Sequence, residues 1–229
     1  MPNPVKTFFE DLDAPLARDP AARGRLDVLL SYPGFHAIFA YRAIHALART
    51  GVPLLPRFLS NVARWVTGIE IHPAATIGHN VFIDHGMGVV VGETAEVGDG
   101  CTIYQGVTLG GTSLSHGKRH PTVGKNVTSG ANSSVFGAVV IGDNAKIGGG
   151  SVVVKDVPAG ATVVGVPARV VAINGQPVHR ADHLPSDAAP IAETPFGALS
   201  RLQKRVDLLE SRLAEFEDDD DVQAWSWVI

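Results

Sequence analysis

Residues 91–109 read VGETAEVGDGCTIYQGVTL, and in them Val91, Val97, Ile103 and Leu109 recur at every sixth position. A helix repeats its apolar face about every 3.6 residues and a strand every second residue, so a step of six fits neither. It is the signature of a parallel β-helix, in which each hexapeptide makes one face and three faces close a coil. The phase extends both ways. Upstream it runs through Ile71, Ile77 and Ile83; downstream it resumes at Val123, skips Ser129, and continues through Val135, Ile141, Ile147 and Val153. Glycine follows many of these positions, where turns need backbone angles that other residues resist. A single coil buries too few aliphatics to offset the ordering of its backbone, so stability must come from stacking coil on coil.

The phase breaks twice. From Ile83 to Val91 the step is eight, so two residues are extra, and His85 lies in that gap within 81–93, VFIDHGMGVVVGE. From Leu109 to Val123 the step is fourteen, where two hexapeptides would give twelve. The segment there, GGTSLSHGKRHPT (110–122), reads as a loop thrown out from the solenoid, and it carries His116, Lys118, Arg119 and His120. Insertions in repeat proteins commonly line a binding face. Both breaks collect ionisable groups, which favours a site, although the local residues leave open whether His85 is a chemical group or one that fits a core.

Residues 1–68 have another texture. Apolar residues fall at helical spacing in PGFHAIFAYRAIHALART and PLLPRFLSNVARWVTG, with Pro33 and Pro53 near helix starts. Asp19 before Pro20 reads as a helix N-cap, and His36 and His45 as structural. The expected organisation is α+β: an N-terminal α-helical domain (1–68), a parallel β-helix (69–173), a polar linker (174–195), an amphipathic C-terminal helix (196–217) and an acidic tail (218–229). In the helix Leu199, Leu202, Val206, Leu209, Leu213 and Phe216 alternate steps of three and four, which suits a helix packed on its own subunit or a short coiled coil. The tail ends WSWVI after five acids, either folding back or held out for a partner. Hydrophobic residues make up 45% and charged residues 18%, so the 229-residue chain can bury a large core; its net charge of -4 argues against nucleic-acid binding. One cysteine, Cys101, permits no intrachain disulfide. No signal peptide or membrane span is evident, so a cytoplasmic protein is expected.

The segments IEIHPAATIGHNVFIDHGMGVVVGETAEVGD, TIYQGVTLGGT, KRHPTVG and GVPARVV resemble the serine O-acetyltransferases, a family of hexapeptide-repeat acyltransferases. The resemblance covers roughly 19–171, and IDHGMG, VVGET and GKRHP in that order carry it. It implies transfer of acetyl from acetyl-CoA to the hydroxyl of L-serine, on the route to cysteine. It also implies a left-handed β-helix, which the period alone does not fix and the usual crossover preference opposes. Trimers, or dimers of trimers, with sites between neighbouring solenoids follow from the same likeness.

A serine hydroxyl needs a base as it attacks a thioester, and an imidazole with its ordinary pKa near 6.5 suits that work. His85 is the expected general base, returning its proton to the CoA thiolate. The resemblance places Glu70 as the carboxylate that orients it, where many relatives carry the shorter Asp, and puts His120 in the same catalytic set. It assigns Asp19 and Asp84 to the substrate ammonium, Arg119 with His120 to the carboxylate, and Glu93 to a substrate-site position. Gly110, Gly111 and Ala131 would let the CoA arm approach the backbone, with Lys146 and Arg169 toward its phosphates. Cys101 is not expected to carry acetyl, and no metal is expected. Cysteine as feedback inhibitor, and a complex with cysteine synthase through Ile229, follow by the same analogy. Two other readings share the solenoid: an acyltransferase for sugar or xenobiotic hydroxyls, and a γ-carbonic-anhydrase-like zinc lyase using His85, His116 and His120.

Overall fold

The computed structural model describes residues 4–178 and 202–210. Four helices open the chain: α1 (Pro4–Arg18), α2 (Arg25–Ser31), α3 (Pro33–Ala48) and α4 (Leu55–Thr67). A left-handed parallel β-helix follows. Its first coil is β1 (Glu70–Ile71), β2 (Thr76–Ile77) and β3 (Phe82–Ile83); its second is β4 (Val90–Val91), β5 (Glu96–Val97) and β6 (Thr102–Ile103). The third is β7 (Thr108–Gly110), β8 (Thr122–Val123) and β9 (Thr128–Ser129); the fourth is β10 (Ser134–Phe136), β11 (Val140–Ile141) and β12 (Lys146–Ile147). β13 (Val152–Val153) and β14 (Ala161–Gly165) complete a fifth. The stack ends in antiparallel pairing of β14 with β15 (Ala168–Ile173) and of β15 with β16 (Gln176–Pro177).

Each of the three faces is a ladder of stacked strands: β1-β4-β7-β10-β13, then β2-β5-β8-β11, then β3-β6-β9-β12-β14. The sixth-position aliphatics point inward and are buried, among them Ile71, Val91, Leu109, Val135 and Val153 on the first face. A second inward set lies at the corners, where Val81, Cys101, Val127, Ala145 and Ala161 form one column. Ser129 takes an inward place on the third face and is buried like its aliphatic counterparts. Asn132 stands at a corner with φ 57°, in the column where Gly106 has φ 70° and Gly150 φ 68°. Asparagine tolerates this left-handed conformation better than most residues, so the corner survives the loss of glycine.

The break at Leu109–Val123 is larger than the count suggests. β7 leads straight to β8 on the next face, so the fourteen-residue step replaces one of six and eight residues are inserted, not two. The two extra residues near His85 appear as expected: Val90 pairs with Glu70, whereas Thr108 pairs with Val90 at the regular eighteen. Asp19 is not a helix cap. Proline disfavours helical backbone in the residue before it, so α1 stops at Arg18, and the Asp19 carboxylate accepts the Ala21 N–H at 2.8 Å in a turn before α2. The chain read as linker from 174 opens instead with a tight turn at Asn174 (φ 49°) and Gly175 (φ 78°), the asparagine–glycine chemistry of a hairpin. The rest of that linker, the tail 218–229 with Ile229, and most of the helix 196–217 lie outside the described residues. Residues 202–210 are helical, with Leu202, Val206 and Leu209 exposed.

The helices are fastened to the first coils by side chains that donate to backbone carbonyls. The Tyr41 hydroxyl donates to Ala75 O at 2.6 Å and the Ser60 hydroxyl to Ile71 O at 2.7 Å. Arg42 donates to Ile77 O and Gly78 O and pairs with the buried Asp11, while Arg18 donates to Cys101 O at 2.9 Å. His45 and His36 each bond a backbone carbonyl, at Pro73 and Leu29, in keeping with structural roles. Gly34 of α3 lies directly on β3; a Cβ there would stand 2.0 Å from Ile83 O. Among the described residues no helix is long and apolar enough to cross a membrane.

Candidate active site

The ionisable residues gather at two corners of the triangular coil, with the β1–β4 face between them. At the corner between β3 and β4 the two extra residues push the chain outward, and His85 takes a left-handed conformation (φ 58°) with its side chain 75% exposed. Such backbone strain in a non-glycine residue persists where the surroundings impose it, and it clusters at functional sites. The Asp84 carboxylate lies 3.9 Å from His85 Nε2. Asp19 is close by: its carboxyl is held below the usual range by the Tyr32 hydroxyl, which donates to it at 2.6 Å, by the Ala21 N–H and by the His85 ring. Tyr32 in turn is pushed up to about 12 by that bond, by burial and by Asp19, Asp27 and Asp84. Two carboxylates therefore flank one imidazole, a setting that attracts a cation.

The second corner is built where the inserted loop returns. Its last residues run beside Glu93–Glu96 in register: Lys118 meets Glu96 and Thr94 O at 2.8 Å each, Arg119 pairs with Glu93, and His120 Nδ1 meets Thr94. The His120 ring lies on Gly92, where a Cβ would come within 2.0 Å of the imidazole, so only glycine leaves room for it. Burial, together with the Arg119 charge, pushes the His120 pKa down. His72, one coil below Gly92, is lowered by burial and then by Arg57. The Glu93 carboxyl is lowered chiefly by Arg119.

The structure does not bring Glu70 to His85. Its carboxylate meets Arg64 at 3.0 Å and Arg57 at 3.6 Å, both on α4. The five positions considered for CoA also divide. Gly110 and Gly111 sit beside the second corner, with His120 Nε2 3.2 Å from where a Gly111 Cβ would be. Ala131 belongs to the corner column that follows the third face, and Lys146 and Arg169 point outward from β12 and β15 on that face. His116 lies exposed in the loop; among the described residues no three His, Cys, Asp or Glu side chains gather into a set that could hold a metal. Cys101 is buried, its thiol donating to Gly124 O and pushed up to about 11 by desolvation, so it is a poor nucleophile. Tyr32, Thr94 and His72 escaped the sequence reading. Thr94, next to Glu93 in the VVGET motif, carried the best available signal.

Comparison with known proteins identifies relatives of this chain. Residues 1–40 match the family described as "Serine acetyltransferase, N-terminal". A serine acetyltransferase of Synechocystis sp. is 52% identical over 221 residues, covering 96% of this chain and 87% of its own. One from Bacillus pumilus is 45% identical, covering 91% and 94%. The crystal structure of Neisseria gonorrhoeae serine acetyltransferase matches with a TM-score of 0.72 at 49% identity, over 74% of this chain and 65% of that one, just under two thirds of the gonococcal protein. The gonococcal protein has also been solved in complex with serine, and the Brucella abortus serine acetyltransferase, 41% identical with a TM-score of 0.72, in complex with coenzyme A. These identities over nearly the whole chain decide among the readings that share the solenoid: the chain belongs to the serine acetyltransferase family of acyltransferases.

Proposed function

We propose that this protein transfers acetyl from acetyl-CoA to the hydroxyl of L-serine, giving O-acetyl-L-serine and CoA, the first step toward cysteine. The observation that carries the reading is His85, an imidazole thrust into solvent by a two-residue bulge in an otherwise regular corner, with Asp84 and Asp19 beside it. His85 takes the proton as the serine oxygen attacks the thioester carbonyl. The tetrahedral adduct then collapses, the carbon–sulfur bond breaks, and the thiolate leaves with the proton from His85. No acyl-enzyme is needed. Asp84 and Asp19 face the substrate ammonium, and Arg119 with His120 its carboxylate, a match a planar guanidinium suits. Glu93, paired with Arg119, holds that guanidinium in place. Glu70 orients His85 once substrate and a neighbouring subunit draw it from Arg64 and Arg57.

The acidic and basic groups lie on separate corners of one chain, which supports a groove between copies, in a trimer or a dimer of trimers. The outward face of α4, with Phe58, Trp65 and Val66 exposed and Leu54 exposed just before it, is apolar enough to be covered by such a neighbour. Acetyl-CoA lies along this groove by Gly110, Gly111 and Ala131, with its phosphates toward Lys146 and Arg169. The complexes of relatives with serine and coenzyme A support both ligands. A further serine acetyltransferase solved in complex with cysteine supports feedback inhibition in the serine pocket. Ile229 is proposed to enter cysteine synthase, in the cytoplasm; deleting the last ten residues should end that complex and spare acetyl transfer. The central test is release of CoA thiol with serine by wild type and His85→Ala. Turnover should fall by about 10²-fold or more with folding intact, and an unchanged rate would remove His85 from the mechanism.

A further inference from the structure

We infer that Thr94 is a positioning residue that fixes the tautomer of His120, so that its imidazole is neutral and presents Nε2–H to the substrate. The inference rests on the reading of His120 as a serine-binding group, but the hydrogen bonds that support it stand without that reading.

The protons in this cluster can be placed by elimination. The Thr94 backbone N–H points at His120 Nδ1, 3.2 Å away, and a backbone N–H can only donate. Nδ1 must therefore carry a lone pair. The Thr94 hydroxyl oxygen accepts two backbone N–H groups, from Arg119 at 3.0 Å and from His120 at 3.1 Å. Both its lone pairs are then occupied, so its own hydrogen must be donated, and Nδ1 lies 2.9 Å away to receive it. A proton on Nδ1 would collide with both donors. In a neutral ring the hydrogen is left on Nε2.

The same residue anchors the return of the loop. Besides the two amides on its hydroxyl, the Thr94 carbonyl accepts Lys118 Nζ at 2.8 Å. Lys118, Arg119 and His120 are thus all tied to Thr94, which meets the ring at Nδ1. Nε2 lies against the backbones of Gly92 and Gly111. Among the described residues no group accepts its hydrogen. A carboxylate oxygen arriving between Arg119 and this edge would do so, as a hydrogen bond to a charged acceptor. A bare Nε2 would instead repel it.

Thr94→Val keeps the shape and removes the hydroxyl; Thr94→Ser keeps the hydroxyl. Thr94→Val should raise the KM for serine roughly ten-fold or more, the size of one lost bond to a charged group, with the KM for acetyl-CoA little changed. Thr94→Ser should restore the serine KM. A second readout needs no substrate: nitrogen NMR of histidine-labelled wild type, with His120 assigned by the signal missing in His120→Gln. His120 should show an unprotonated Nδ1 and a protonated Nε2 at neutral pH, and Thr94→Val should shift both. A wild-type ring protonated on Nδ1, or a Thr94→Val protein with unaltered His120 resonances and unaltered serine KM, would overturn the inference. A wild-type protein inactive on serine but with the expected resonances would overturn the functional reading and leave the positioning role standing.

Discussion

His72 and His120 both use Nδ1 as an acceptor, from the Ala74 N–H at 3.1 Å and from Thr94, and burial lowers both pKa values, with Arg57 and Arg119 adding to the effect. The folded chain therefore resists protonating rings that the unfolded chain protonates near the ordinary value of 6.5. Where the unfolded state binds more protons, stability rises with pH. The contribution of these two rings is full above that ordinary value and is lost as pH falls below it toward the folded values. The lowered carboxyls of Asp19 and Glu93 act in a separate, more acidic window, below the ordinary carboxylate range. Thermal melts should thus show a decline in Tm between about pH 7 and pH 5, and His72→Gln should reduce it. A Tm flat across that interval would mean that the rings bury no such penalty. Single residues also show what a sequence hides. Asn132 looks like an error in a glycine column until its φ of 57° is known, and then it is one of the few residues that fit. Thr94 stands beside Glu93 in the VVGET motif, but its role appears only when residues 118–120 are folded back upon it.

At the scale of elements, two kinds of ion pair hold the helices, one between α1 and α3 and one between α4 and β1, and they should behave differently. Arg42 on α3 is largely enclosed, its partner Asp11 is 5% exposed, and two further donors of the guanidinium go to Ile77 O and Gly78 O. Replacing it with Met leaves a buried carboxylate unpaired, and breaking such a pair costs about 3–5 kcal/mol. Arg57 and Arg64 on α4 are roughly half exposed where they meet Glu70. Replacing both with Met should cost no more than about 1 kcal/mol, as for surface pairs. Denaturant melts of the two variants measure the contrast, and equal losses would show that exposure does not govern these joints. The elements also show where sequence reading stops. The six-residue phase exposes the strands from β1 to β13, all but β9 sending an aliphatic inward and β9 sending Ser129. It cannot number the faces, since all three carry the same pattern: a step of fourteen is two faces plus two residues or one face plus eight. Only the pairing of β8 with β5 decides that the insertion is eight residues long, long enough to bring Lys118, Arg119 and His120 back over Glu93. Handedness is hidden for the same reason.

At the scale of the whole molecule, the proposed function has to bridge the separation of the two corners. His85 with Asp84 and Asp19 sits between β3 and β4, whereas Arg119 and His120 sit between β7 and β8, and the face carrying β1, β4 and β7 lies between them. A substrate serine, on the proposed reading, has to meet groups from both. On the proposed reading each groove combines His85 from one copy with Arg119 and His120 from the next, and closed rotational symmetry repeats the arrangement. Two inactive variants should then rescue each other. His85→Ala chains retain the carboxylate-binding corner, and chains carrying Arg119→Ala and His120→Ala retain the base. When the two are unfolded together, mixed equally and refolded, random assembly gives intact grooves at about one in four, so activity should return to roughly a quarter of the wild-type level. Refolding each variant alone should give none, because no groove then holds both corners. If the jointly refolded sample stays as inactive as its components, while refolded wild type recovers, both corners must serve a substrate within one chain.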